Sequence, residues 1–310
     1  MNMERKIGII SDEIALDLET QLKWCEEYRI RAVQIRTVDG VGVKNITPSH
    51  ALEIADSFRR IGTRVELLAA NLGECCLSNS QQADAQIEDC KRLVVLAPHF
   101  GTKIIRAFAG FREKDIQFGW EYVLSFFRKV LEILPEDFVL VVENEPATYC
   151  PTPMEVLALS KELKDPRIRL LIDIGNLGFA PEIINAVRLA GSCSSEVAEK
   201  MTKMCHQIIG AVHIKNTFVR GMESRTVALN AGHFNLETHI EQLAGFGLGH
   251  LPICLEPYRP PQTDDETVLD EAMQAMPGGS GYGNLAAAEE DLNILRGWLG
   301  LPTIMGQREE

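Results

Sequence analysis

Residues 138–176 read FVLVVENEPATYCPTPMEVLALSKELKDPRIRLLIDIGN. Two short apolar runs rich in β-branched residues, Phe138–Glu143 and Arg169–Asp173, bracket a longer stretch whose apolar residues recur at helical spacing. Each run ends on or near a carboxylate, Glu143 and Asp173. Strands separated by a helix run parallel, because a parallel neighbour can be reached only through a crossover. Both acids therefore belong to the same, C-terminal edge of a sheet.

Outward from this stretch the same rhythm repeats along the chain. Candidate strands fall at about Lys6–Ile10, Ala32–Ile35, Arg64–Ala69, Lys103–Ala107, Phe138–Glu143, Arg169–Asp173, Ala211–Lys215 and Pro252–Glu256. Helix-like segments follow them, such as Asp17–Tyr28, Ser49–Arg60, Gln81–Leu96 and finally Leu285–Trp298. Eight β-α units predict an α/β fold closed into a (β/α)8 TIM barrel, which forms a single domain over residues 1–310. A doubly wound open sheet is the competing architecture, but no G-x-G-x-x-G or G-x-x-x-x-G-K-[ST] opens a helix. Two connections are long. One runs from Gly175 to about Cys193, and the other, residues 257–284, carries PYRPPQTDDE and MPGGSGYGN. The Pro and Gly content of the second suits a lid or an oligomer contact, with an inert excursion as the alternative.

The composition excludes several classes. In 310 residues, 45% hydrophobic and 24% charged, there is apolar surface for a large core and no sign of disorder, collagen or coiled coil. Lys and Arg number 31 against 44 Asp and Glu, and the formal charge of -13 repels phosphate backbones and anionic lipid, so neither nucleic acid nor membrane is expected as a partner. The apolar stretch Ile7–Ile10 is too short for a signal-peptide core, and no run approaches the ~18 apolar residues of a membrane span. A soluble, cytoplasmic protein is expected. The eight cysteines lack C-x-x-C spacing and read as small buried hydrophobes in a reducing compartment. Trp24, Trp120 and Trp298 fall on helical stripes and are assigned to the core, while His206, His239 and His250 read as surface or packed residues.

Four of the last five candidate strands end on or near a metal-ligating group: LVVENEP supplies Glu143, LLIDIGN Asp173, AVHIKN His213 and ICLEP Glu256. In a barrel these ends share one rim, and each separation fits one β-α unit of about 30 or more residues. Taken alone, any of these acids is better explained as a helix cap or a partner for lysine. Four in register on successive units point instead to one divalent ion, because converging carboxylates are costly to bury without a cation. Three carboxylates and an imidazole suit Mn²⁺, Mg²⁺, Co²⁺ or Zn²⁺. Arg36 and Arg106, each near a strand end, have planar donors that fit a hydroxyl, carboxylate or phosphate, with structural ion pairing as the equal alternative.

The order of several short blocks resembles the xylose isomerase-like TIM-barrel family of sugar (phosphate) isomerases and epimerases, over nearly the full length. The blocks are VQIRTVDGVGVKNIT, KIIRAFAGF, VVENEPATY, DIGN, VHIKN, NAGHFN and LEPY. The resemblance implies metal ligands Glu143, Asp173, His213 and Glu256, with Arg106, Asn176 and Lys215 lining a small-molecule carbohydrate. Arg36 and His233 are assigned to the substrate region as well. Departures from the family pattern stand at Asn216, His233, Gln34 and Tyr258, where the family carries Asp, Glu, an acid and often His.

The same residues suggest the chemistry. A metal binding a carbonyl and the adjacent hydroxyl of a sugar, ketose or sugar phosphate stabilises the enediolate left when the neighbouring C–H loses its proton. Glu143 and Glu256, as catalytic carboxylates, can then remove and return protons. Return to the opposite face gives epimerisation, and return to the next carbon gives isomerisation. The alternatives are a dehydratase of the same barrel type, an apurinic-endonuclease-like repair enzyme, disfavoured by the charge and the single strand-end histidine, and a non-catalytic sugar-binding barrel. A homo-oligomer is compatible with all of them.

Overall fold

Eight parallel strands close on themselves: β1 (Ile7–Ile10), β2 (Ala32–Ile35), β3 (Arg64–Leu72), β4 (Ile104–Ala107), β5 (Val139–Glu143), β6 (Ile168–Asp173), β7 (Ile209–Ile214) and β8 (Ile253–Leu255). Each neighbours the next in sequence, and β8 returns to β1 through Ile7↔Ile253 and Gly8↔Cys254. The computed structural model describes residues 7–113, 116–180, 183, 194–220, 223–257, 259 and 284–304. Apart from residues 257, 259 and 284, the expected lid lies outside the described residues, as do Tyr258 and most of the connection before Cys193.

A helix follows every strand: α1 (Leu18–Glu27), α2 (Pro48–Arg60), α3 (Ser80–Phe100), α4 (Ile116–Ile133), α5 (Pro153–Leu163), α6 (Ser194–Cys205), α7 (Leu236–Gly245) and α8 (Leu285–Trp298). Their starts are written locally. Asp17, Thr47, Asn79, Thr152, Asn235 and Asn284 each accept a backbone N–H of the first turn, and Pro48 and Pro153 occupy early positions that need no donor. Thr152 and Glu155 complete a reciprocal capping box. No helix among the described residues is long and apolar enough to cross a membrane.

Strand alternation divides the core into two shells. Ile10, Leu67, Ala69, Val141, Leu171 and Ala211 fill the barrel interior. Val33, Ile35, Ile105, Leu140, Val142, Ile172, Val212 and Ile214 pack outward against helix residues including Trp24, Phe58, Leu93, Phe127 and Leu292. Burying each such large side chain contributes about 1.5–3 kcal/mol. Trp24 is buried, Trp120 and Trp298 are half-buried against this shell, and the described cysteines are unbridged and, except half-buried Cys76, buried.

Three features depart from the expected layout. β3 runs on to Leu72, and α3 continues through Pro98 to Phe100, where Gly101 in the left-handed region (φ 78°) stops it. Two hairpins rise from the rim. Thr37–Val38 pairs with Val41–Gly42 across Asp39 and Gly40, both at positive φ, the turn that an Asp-Gly pair favours. After β7, Asn216–Arg220 pairs with Glu223–Val227.

Candidate metal centre

Continuing the interior alternation of Val141, Leu171 and Ala211 by two residues gives Glu143, Asp173 and His213, so the strand period itself turns these three inward. Glu143 and Asp173 are the last residues of β5 and β6, His213 is the penultimate residue of β7, and Glu256 follows β8, its N–H donating to Ile214 O at 3.2 Å. One oxygen or nitrogen from each of the four lies within 4.8 Å of the others. Glu143, Asp173 and His213 are buried and Glu256 is partly exposed, so the cluster opens on one side.

His213 Nδ1 is buried and makes no hydrogen bond, whereas the buried Asp173 Oδ2 faces the Lys215 ammonium, with Nζ at 2.8 Å. The other atom of each side chain is engaged. Asp173 Oδ1 accepts from Gly175 N at 2.8 Å and Asn176 N at 3.3 Å, while His213 Nε2 lies 2.7 Å from Gln34 Oε1. Nδ1 is left facing Glu143 Oε1 and Glu256 Oε2, each at 3.4 Å. Buried polar atoms ordinarily find partners. An imidazole nitrogen without a hydrogen bond beside three carboxylates, an oxygen-rich set with one imidazole, fits a divalent cation.

The single-residue readings hold alongside the cluster. Asp173 does cap the turn Gly175–Gly178, and Lys215 Nζ does meet acids, at 2.8 Å from Asp173 Oδ2 and 2.9 Å from Glu256 Oε2. Arg106 balances Glu143, with Nη1 to Glu143 Oε2 at 3.1 Å and its remaining donors on Ala69 O, Ala70 O and Asn71 Oδ1. Asn144 ties β5 to β6 by exchanging hydrogen bonds with the backbone of Asp173. Asn176 Nδ2 donates to Asn144 O at 2.9 Å and lies 3.4 Å from both Glu143 Oε1 and Glu145 Oε2.

The charges set the protonation of the cluster. Burial opposes charge on Glu256, yet Lys215 and His213 hold it well below the ordinary carboxylate range; His213 and Arg106 hold Glu143 below that range against burial. Asp173 goes the other way, because burial outweighs Lys215 and raises it to about 6. Burial disfavours the imidazolium of His213, but Glu143 and Glu256 raise its pKa to about 9.

Of the other expected site residues, Arg36 is near the rim but occupied. Its Nε meets both oxygens of Asp12 at 2.9–3.0 Å and its Nη2 meets Glu13 Oε1 at 2.5 Å. His233, in the loop between the second hairpin and α7, packs on that hairpin: its Nδ1 accepts from Val219 N at 3.0 Å and its ring lies on Phe218 with centroids 4.9 Å apart. The sequence reading passed over three acids that share the mouth. Burial, reinforced by Glu143, Glu256 and Asp173 against Lys215, raises Glu145 to about 8. Glu74 and Glu13 are also raised by burial, and Glu13 Oε2 makes no hydrogen bond. Glu145 was legible, standing two residues beyond Glu143 in ENE; Glu13 and Glu74 carry no motif.

A family model described as xylose isomerase-like TIM barrel matches residues 22–277. No curated protein matches the chain. Among solved structures, L-ribulose 3-epimerase is similar at 16% identity, with 95% of this chain and 94% of that one covered and a TM-score of 0.67. A xylose isomerase-like TIM barrel protein from Mycobacterium smegmatis in complex with magnesium follows at 17% identity, covering 83% and 87%, TM-score 0.57. The probable 3-DHS dehydratase AsbF from Bacillus anthracis shares 15% identity over 87% and 98%, TM-score 0.60. At these identities the likeness is one of fold.

Proposed function

The chain belongs to the xylose isomerase-like TIM-barrel family, and from that premise we propose that it is a divalent-metal-dependent isomerase or epimerase of a sugar, ketose or sugar phosphate. The observation that carries this reading is the quartet Glu143, Asp173, His213 and Glu256, whose ligand atoms lie within 4.8 Å of one another, with His213 Nδ1 making no hydrogen bond. Those four would hold the ion. A bound divalent ion polarises a carbonyl and stabilises the negative charge left when the adjacent C–H is lost.

The protein's own groups supply the rest. Glu143 and Glu256 are both held ionised, so either can accept the proton from carbon. The proton returned must come from a group that still carries one, and Lys215, 2.9 Å from Glu256 Oε2, is a source on that side. Arg106 fixes the Glu143 carboxylate, and Asn176, within 3.4 Å of Glu143, is placed to meet a substrate hydroxyl. Arg36 and His233 act from the rim, Arg36 held by Asp12 and Glu13 and His233 by the second hairpin.

A dehydratase begins with the same C–H removal and differs in expelling a hydroxyl, and the fold of the similar 3-DHS dehydratase keeps that reading in view. One experiment separates them. Protein loaded with Mn²⁺ or Mg²⁺ is incubated with a panel of ketoses, aldoses and their phosphates in deuterated water, and the α-hydrogen is followed by NMR. Exchange with formation of an epimer or isomer is expected. Exchange with loss of water would assign the dehydratase, and no exchange on any substrate with metal bound would sink both.

A further inference from the structure

Beneath the quartet lies a second line of buried polar groups. The ladder between β2 and β3 slips at one point: Val33 pairs with Val65, but Gln34 pairs with Leu67, leaving Glu66 as the extra residue of a β-bulge. Glu66 is only 8% exposed, and its partners reach it from two other strands. Gln34 Nε2 donates to Glu66 Oε2 at 3.3 Å, and Cys254 Sγ donates to the same oxygen at 3.1 Å. Gln34 Oε1 in turn meets His213 Nε2 at 2.7 Å.

From this chain of contacts we infer that Glu66 is a positioning residue, acting through the Gln34 amide to keep His213 Nδ1 free for a cation. A primary amide can present either its oxygen or its NH₂ to a neighbour. Glu66 Oε2, receiving two donors, accepts from Gln34 and so turns the amide oxygen toward His213. That oxygen requires a proton on Nε2, and a neutral ring with Nε2–H has a bare Nδ1. Without an acceptor at position 66 the amide is free to turn. Its NH₂ would then face Nε2, and the ring proton would move to Nδ1, where it blocks ligation. The partner on a ligand histidine's second nitrogen sets tautomer and orientation; here that partner is itself neutral and takes its orientation from a carboxylate one strand further on.

The inference rests on reading the quartet as a metal centre, and its test separates the two. Mn²⁺ affinity is measured by calorimetry, and the proton positions on the His213 ring by ¹⁵N NMR with Mg²⁺ bound. Glu66→Leu is expected to lose about 10–100-fold in affinity, the usual scale for an outer partner of a ligand. Glu66→Gln, which keeps an acceptor oxygen, should stay within a few-fold of wild type. Adding Gln34→Glu to Glu66→Leu should restore affinity, because a carboxylate at position 34 accepts from His213 in any orientation. A merely structural role for Glu66 would give neither rescue. Should Glu66→Leu fail to fold, Glu66→Ser, too short to reach Gln34, is read in its place. Wild-type affinity in the leucine or serine variant with Nε2–H retained, or a wild-type ring carrying its proton on Nδ1, would overturn the relay. If wild type binds no divalent ion, the metal reading fails, and comparing the ring spectra of the neutral imidazole in wild type and the position-66 variants still decides the relay.

Discussion

Asp173 and His213 are Cα partners across the ladder between β6 and β7, so adjacent strands deliver these two groups of the cluster side by side. Asp173→Asn keeps the shape and an oxygen for Gly175 N but removes the charge. Mn²⁺ affinity should fall at least about 10-fold by calorimetry. In metal-free protein the same change should leave the melting temperature unchanged or raise it near pH 8, because a buried carboxyl with a pKa raised to about 6 is ionised there at a cost to the fold. Unchanged affinity would remove Asp173 from the centre.

Metal binding should expel a proton. With its pKa raised to about 9, His213 is charged at neutral pH, and a cation on Nδ1 can bind only after deprotonation. Calorimetry in buffers of different ionisation heat should report release of about one proton near pH 7.5, declining above pH 9. Affinity should rise with pH through the same window and fall more steeply below about 6, where Asp173 is protonated. Binding without proton release would place the ion elsewhere.

Two buried histidines should tilt the stability of the metal-free protein in opposite directions. His239, packed between α6 and α7 with Thr202 at 3.4 Å, is lowered by burial from 6.5 to about 4. Its contribution is complete above pH 6.5 and is lost as pH falls through 4. His213, raised from 6.5 to about 9, contributes fully below 6.5 and loses its contribution as pH rises through 9. Urea melts should show His239→Leu flattening only the acid side and His213→Leu only the alkaline side. Identical pH profiles in all three proteins would reject both assignments.

Glu143→Gln and Glu256→Gln should each reduce turnover by about 10²–10⁴-fold on any substrate wild type accepts, at saturating metal. Solvent exchange distinguishes their roles, since loss of the abstracting carboxylate abolishes exchange whereas loss of the other leaves exchange without product. Wild-type turnover and exchange in both variants, with metal bound, would exclude the two-carboxylate chemistry.

Gly175→Ala tests the seat of Lys215. A Cβ at position 175 would stand 2.4 Å from Lys215 Cγ and 2.6 Å from its backbone oxygen, and the backbone cannot yield as a side chain can. A loss of about 1–3 kcal/mol in urea melts is expected. Unaltered stability would mean that the turn after β6 adapts.

The barrel was legible because each strand is short, β-branched and isolated between helical stretches; Ala32–Ile35 and Leu285–Trp298 stand where their sequences put them. The quartet was legible because a strand end is a position that a sequence reveals. Glu66 was not. In TRVELLAA, Thr63–Ala70, it reads as a lone acid, and its inward course depends on a register slip that only the paired strand defines. The hairpin at Asp39–Gly40 had its turn signal in VDGV, but strands of two residues carry no periodicity. Arg36 shows the limit on the polar side: an arginine at a strand end has the same sequence signature whether it awaits a ligand or is held by Asp12 and Glu13.

The closing pair of the barrel, Ile7↔Ile253, joins its first and last strands, and Glu256 lies just beyond it. Joining such distant segments is slow, because the entropy of a very large loop is lost before the contact repays it. The fourth ligand thus arrives with the last strand of the barrel. A nascent chain lacking β8 offers at most three ligands, and full coordination marks completion of the ring. An ion that engages only after closure leaves the folding rate nearly unchanged and slows unfolding, acting as a latch on the seam between β1 and β8.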